Sequence, residues 1–138
     1  MMKLKKILVI LVTIIVIVIV STLLHYKNMN YISENWNIDF PSENTIVYQV
    51  KPSPSFTNDG IYYEVQEAKS KNLPITLSNK KNNEIEEEFH KYIIEAKVSQ
   101  KQLPDFTQDY KYYKKSDVGR SLIVVAQDQL LYIVSYNL

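Results

Sequence analysis

Between Ile7 and Leu24 the chain runs for 18 residues without a charge, and 15 of them are Ile, Leu or Val. At a helical rise of about 1.5 Å per residue, such a run spans roughly 27 Å, close to the hydrocarbon thickness of a bilayer. On an insertion scale its aliphatic residues together contribute about −4 to −9 kcal/mol, which outweighs Thr13, Ser21 and Thr22. β-Branched residues weaken helices in water. In lipid, however, the backbone N–H and C=O groups find no partners except one another, so the run closes into a helix. The sequence therefore predicts a transmembrane anchor over 7–24, with the lipid bilayer as its partner, behind a basic tail over 1–6.

A cleaved secretory signal shares the basic start, but its apolar region is about 7–15 residues long and ends at a small-residue site. Here no alanine precedes Ala68, and with no cysteine the chain has no residue to carry a lipoprotein's lipid. A pilin-like start is also disfavoured, because no processing site or early acidic residue accompanies the run. Lys3, Lys5 and Lys6 lie before the apolar run, against Lys27 just after it. The positive-inside rule then places the N-terminus in the cytoplasm and everything beyond about residue 25 outside the cell membrane, as in a single-pass signal-anchor protein.

The outer part has room for one small domain. Without Lys3, Lys5 and Lys6 it carries 13 basic residues against 15 acidic ones, a net charge near −2, and no pull toward nucleic acid is expected. The absence of cysteine excludes disulfides, thiolate metal sites and a cysteine nucleophile, and two glycines exclude a glycine-rich phosphate loop. No cofactor is expected. Packing of eleven tyrosines, four phenylalanines and aliphatic strands must hold the domain.

Residues 25–35 read as a juxtamembrane tether, with Tyr26 and Tyr31 at the level of an interfacial aromatic belt. Trp36-Asn-Ile38-Asp-Phe40-Pro41 alternates apolar and polar residues and opens a domain over 36–138. Ser42 to Asn44 reads as a turn. Thr45 to Lys51 and Ile61 to Ala68 read as strands joined by a long Pro/Ser/Asp/Gly loop, with Ile61, Tyr63 and Val65 on one face. A capping-box-like start at Asn83 and Glu86 introduces a helix whose apolar stripe is Ile85, Phe89, Tyr92, Ile93 and Ala96. Three further strands are predicted at Asp109 to Lys115, Arg120 to Gln127 and Leu130 to Tyr136, the last two joined at Asp128-Gln129. The expected fold is α+β: an antiparallel sheet with one helix packed on it, behind a single transmembrane helix.

The pattern Trp36-x-Ile38-x-x-Pro41, then Ser55-Phe56-x-x-Asp59-Gly60-x-x-Tyr63-x-Val65 and an apolar C-terminal hairpin, resembles the small signal-anchored extracytoplasmic proteins of low-GC Gram-positive bacteria. The resemblance covers most of the outer part. It implies a location and brings no activity, so no catalytic residue follows from it.

Candidate chemistry is sparse. Glu86 and His90 stand at i,i+4 spacing, but a zinc helix needs a second histidine, so no metal site is predicted. The acidic run Glu84 to Glu88 suits a helix N-terminus. No serine has nucleophile-elbow glycines around it, and no catalytic residue is assigned. Two binding surfaces are expected instead. Ile94 and Val98 stand at i,i+4 spacing on the outer side: either the helix ends near Ala96 and Val98 folds back onto the domain, or the pair is the apolar centre of a contact surface rimmed by Glu87, His90 and Lys91, facing the bilayer or another envelope protein. Tyr110 to Lys115 interleaves aromatics and lysines: Lys111, Lys114, Lys115 and Tyr112 could hold an anionic envelope polymer, or simply protect a sheet edge. The reading that results is a membrane-anchored interaction module of immunity, accessory or sensor type, without catalysis. Its alternative is a polymer-binding domain.

Overall fold

The hydroxyls of the apolar run show how it satisfies itself: Thr13 Oγ1 donates to Val9 O at 2.9 Å and Thr22 Oγ1 to Val18 O at 2.8 Å, so neither needs water. This run belongs to helix α1 (Met2–Asn28), in which 19 residues, Lys6–Leu24, have a mean hydropathy of 3.4, long and apolar enough to cross a membrane. The structure, a computed structural model, describes residues 2–28, 30–53 and 59–138, and within α1 the side chains of 6–24. The Tyr26 side chain of the predicted belt and the Ser55-Phe56 part of the long loop lie outside what is described. The chain divides into two compact units, Met1–Asn30 and Tyr31–Leu138.

The second unit contains helix α2 (Tyr31–Trp36), strands β1 (Thr45–Val50) and β2 (Gly60–Glu67), helix α3 (Asn83–Glu95), a 3₁₀ turn at Gln100–Gln102, and strands β3 (Lys111–Asp117), β4 (Arg120–Gln127) and β5 (Leu130–Asn137). All five strands pair antiparallel in the order β1-β2-β5-β4-β3. The β1–β2 hairpin and the β3–β4–β5 meander thus meet through β2 and β5, and the connection carrying α3 crosses the sheet to start β3 at the far edge. Gly60 is required where the first hairpin closes. Its φ is +119°, and a Cβ there would lie 2.9 Å from Pro52 Cβ.

Helix α3 packs on the face bearing Ile61, Tyr63, Val65, Ile123, Val125, Tyr132 and Val134, to which it contributes Ile85, Phe89, Tyr92 and Ile93, as the stripe predicts. Its N-cap is Asn82 rather than Asn83. Asn82 is extended (φ −143°, ψ 106°), and its side chain accepts from Glu84 N at 3.0 Å and Ile85 N at 3.4 Å. The helix ends in a Schellman arrangement, with Lys97 at φ 54°, Lys97 N bonded to Ile94 O at 3.1 Å and Val98 N to Ile93 O at 3.0 Å.

The other face carries a layer that the sequence reading did not foresee. Tyr31, Ile32, Trp36 and Ile38 are all buried, so the folded unit takes in residues assigned to the tether and to a membrane belt. Tyr31 stacks on Tyr62 with ring centroids 4.4 Å apart, and Trp36 Nε1 donates to Ser135 Oγ at 2.7 Å. Trp36 closes a helix within the folded unit rather than opening the domain. Asn37, at φ 54°, donates its N–H to Ser33 O at 2.9 Å and ends α2 there.

Candidate functional site

Strand β3 is the sheet edge expected of the Tyr/Lys stretch, but its lysines do not form one surface. Lys111, Tyr113 and Lys115 pair with Ala126, Val124 and Leu122, on the face covered by α2; Tyr112 and Lys114 pair with Val125 and Ile123, on the α3 face. Lys114 Nζ bonds Glu88 of α3. Lys115 Nζ donates to Trp36 O at 3.3 Å and stands 6.0 Å from the Trp36 ring centroid. Arg120 joins it there, its guanidinium 5.0 Å over the same ring and bonded to Asn35 O at 3.0 Å. Two cations therefore hold the C-terminal carbonyls of α2, where the helix dipole is negative. Tyr112 OH accepts from Asn82 Nδ2 at 3.2 Å, and its backbone bonds Ser78 in both directions at 2.7 and 2.8 Å, covering part of the outer edge of β3. Of the predicted polymer-binding set, Lys114, Lys115 and Tyr112 each bond within the folded unit, although both lysines stay exposed.

On α3 the structure follows the alternative in which the helix ends near Ala96 and Val98 folds back. Ile94 is exposed at 73 %, but Val98 lies past the Schellman turn and folds back onto the core, so the pair shares no face. The i,i+4 geometry that would unite them ends with the helix at Glu95. His90 and Lys91 are exposed on α3, His90 with its ring 6.4 Å from that of Phe106. Glu86, the suggested metal partner of His90, accepts from Tyr110 OH at 2.7 Å instead. Among the described residues no group of three or more His, Asp or Glu is placed to hold a metal ion.

Two carboxylates are held more closely than the sequence suggested. Glu88 Oε1 accepts from Ser121 Oγ at 2.8 Å and Tyr92 OH at 3.0 Å, while Oε2 takes Lys114. Burial alone would raise its carboxyl, but these hydrogen bonds outweigh burial and hold it below the ordinary carboxylate range. Such a group is a fixed acceptor and a weak base. Glu64 has the opposite balance: it lies on the sheet face that carries α2, 3 % exposed, and accepts from Tyr62 OH and from Gln66 Nε2 at 2.7 Å. Gln49 Nε2 supports Tyr62 OH at 2.6 Å, and Asn44 Nδ2 supports Gln66 Oε1 at 3.0 Å. Desolvation exceeds the help of these bonds and pushes the Glu64 carboxyl up. Polar residues alternating with Ile61, Tyr63 and Val65 are the usual mark of a solvated face, which hid this network from the sequence reading.

The two ends of the sheet differ. At one end lie Gly60, Asn137, Arg120 and the β3–β4 turn, and there Tyr31 and Asn35 of α2 are bonded: Asn137 Nδ2 donates to Tyr31 OH at 3.0 Å. At the other end a groove of about 990 Å³ opens between segment 68–79 and the β4–β5 turn. Its apolar lining includes Ala68, Leu73, Leu77 and Leu130, and its polar lining Lys69, Lys71, Lys111, Asp109 and Asp128. Of the lysines of the predicted polymer site, Lys111 lines this groove and Lys114 and Lys115 do not. The sequence reading missed Lys69 and Lys71, forty residues earlier in the chain, because only the crossing to β3 brings them near. No protein family, curated protein or solved structure matches this chain.

Proposed function

We propose that the chain is a single-pass membrane-anchored interaction module, its folded unit outside the cytoplasm and its partner another envelope protein, in an immunity, accessory or sensor-like role without catalysis. One observation carries this reading: a 19-residue apolar span precedes a folded unit whose groove lies at the end of the sheet away from Tyr31, where the chain joins that unit. The partner is expected to seat on Leu73, Leu77 and Leu130. A photo-crosslinking residue in place of exposed Lys71 should capture one specific protein in cells, insensitive to salt, and should capture none when Leu77 is changed to Asp. Gln129→Cys should react with a membrane-impermeant thiol reagent in intact cells; reaction only after lysis would reverse the topology.

A second reading, an anionic envelope polymer, is favoured by one feature: Lys69, Lys71 and Lys111 line the same groove. Salt-dependent retention on such a polymer, lost in Lys69→Glu and Lys111→Glu, would select it.

A further inference from the structure

The sheet has two edge strands, and they are guarded differently. Strand β3 carries Lys111, Lys114 and Lys115, and Ser78 occupies part of its outer side through two backbone bonds to Tyr112 at 2.7 and 2.8 Å. Charges and a covering segment both keep an edge from pairing with another chain. Strand β1 has neither. Thr45–Val50 contains no charge and no proline, all its residues but Gln49 are β-branched or aromatic, and among the described residues no strand or bridge lies on its outer side. Ile46 and Val47 within it are 51 % and 52 % exposed. An open edge of this kind offers N–H and C=O groups in series, and another extended backbone satisfies them in series.

Two observations select the strand that fits. Glu43 stands just before β1 and Lys51 just after it. Antiparallel pairing of β1 with itself brings Glu43 of each copy to the end where Lys51 of the other lies, so opposite charges meet at both ends and none face each other within the strand. In addition, β1 has a bulge between Ile46 and Tyr48, leaving Val47 with no residue opposite it on β2. A bulge increases the local twist, and an added strand must follow that twist. β1 of a second copy has it already. We propose that β1 pairs antiparallel with β1 of a second copy of this chain across a twofold axis, joining two five-stranded sheets edge to edge. The pairing depends on neither the groove nor the apolar helix.

A six-residue ladder is smaller than a standard interface, so the dimer is reversible and is best read by trapping it. The chain has no native cysteine, so single cysteines can be placed in the full-length protein, in detergent micelles, at exposed Thr45, Ile46, Val47 and Gln49 in turn, with exposed Lys111 and Ile94 as controls. A residue near a twofold axis meets its own copy, so under mild oxidation disulfide-linked dimer should form many times faster at one of the β1 positions than at 111 or 94. Equal rates everywhere, or a maximum at a control position, overturn the pairing. The charges test its direction. With the fastest cysteine in place, chains carrying Glu43→Lys and chains carrying Lys51→Glu should each cross-link slowly alone and several-fold faster when mixed, because only the mixed pair sets opposite charges at both ends. Charge variants that cross-link no faster mixed than alone overturn the antiparallel arrangement.

Discussion

The two faces of the sheet are buried by different means. Under α3 the interior is mainly aromatic and aliphatic: Tyr63 meets Phe89 edge-on at 6.1 Å and Phe89 meets Phe106 at 5.6 Å, with buried Ser121 and Gln127 at the two ends of β4 and Glu88 at the margin. Under α2 the interior mixes Leu122, Val124, Leu131 and Ile133 with buried Tyr62, Glu64, Gln66, Ser135 and Asn137. A thirteen-residue amphipathic helix can cover a face by apolar contact alone. A six-residue helix presents too little apolar area, and this one is fastened by specific polar bonds to Ser135, Arg120, Lys115 and Asn137. Hydrophobic area holds one layer, and directed hydrogen bonds pin the other.

That contrast fails if α2 is an ornament. Phe89→Ala should cost about 3–5 kcal/mol, the range for deleting a fully buried aromatic ring, measured by urea unfolding. Trp36, 2 % exposed, should cost nearly as much on change to Ala if the α2 layer belongs to the cooperative unit. A loss below about 1 kcal/mol, the scale of a surface substitution, would show that α2 undocks independently. Trp36→Phe keeps a ring for Arg120 but removes the donor to buried Ser135, and should fall between, at about 1–3 kcal/mol.

The same difference decides what was legible in the sequence. The α3 layer announces itself by the spacing of Ile85, Phe89, Tyr92 and Ile93, and by the strands they cover; the last two strands and their turn fall where expected to within one residue. Six residues of α2 are too few to establish a helical period, which needs a window of about 11–18 residues. Even so, a signal was present. Leu122 to Val125 and Leu130 to Val134 are unbroken apolar runs, and strands of that kind are covered on both faces. The polar residues of β2 obscured it, because Tyr62, Glu64 and Gln66 read as a wet face when their partners, Gln49 and Asn44, are supplied from another strand and a turn. Lys114 and Lys115 left two readings open for a related reason: adjacent residues in a strand point to opposite faces, so a run of basic residues in the sequence need not be a patch.

Glu64 makes the α2 layer sensitive to pH in a way the α3 layer is not. Its carboxyl is raised in the folded state, so its protonated form is favoured there. The associated stability is present below the unfolded value, near 4.5, and is lost as the pH rises through the folded value. Glu88, held low, acts in reverse: its contribution is present above the unfolded value and is lost as the pH falls. Urea unfolding of wild type and Glu64→Gln across about pH 4–8 separates them. The variant should lose the decline toward high pH and retain the decline toward low pH. Parallel curves would mean that Glu64 titrates alike folded and unfolded, and that the network is open to water.

The smallest expected effects lie in the three lysines of β3, and they test the division most finely. Lys114→Met removes a partly exposed ion pair to Glu88, with side chains 35 % and 24 % exposed, and should cost no more than about 1 kcal/mol, reduced by salt. Lys115→Met removes a cation from the C-terminus of α2 and from the Trp36 ring, and should also cost about 0.5–1 kcal/mol. Because the two side chains act on opposite faces and share no partner, the double variant should show the sum of the single losses to within about 0.5 kcal/mol. Lys111 is exposed and lines the groove, so Lys111→Met should leave unfolding unchanged while altering whatever binding the groove supports. If Lys114→Met and Lys115→Met weakened retention on an anionic polymer as much as Lys111→Met does, without loss of stability, the three lysines would act as one patch. Their assignment to two faces would then be wrong.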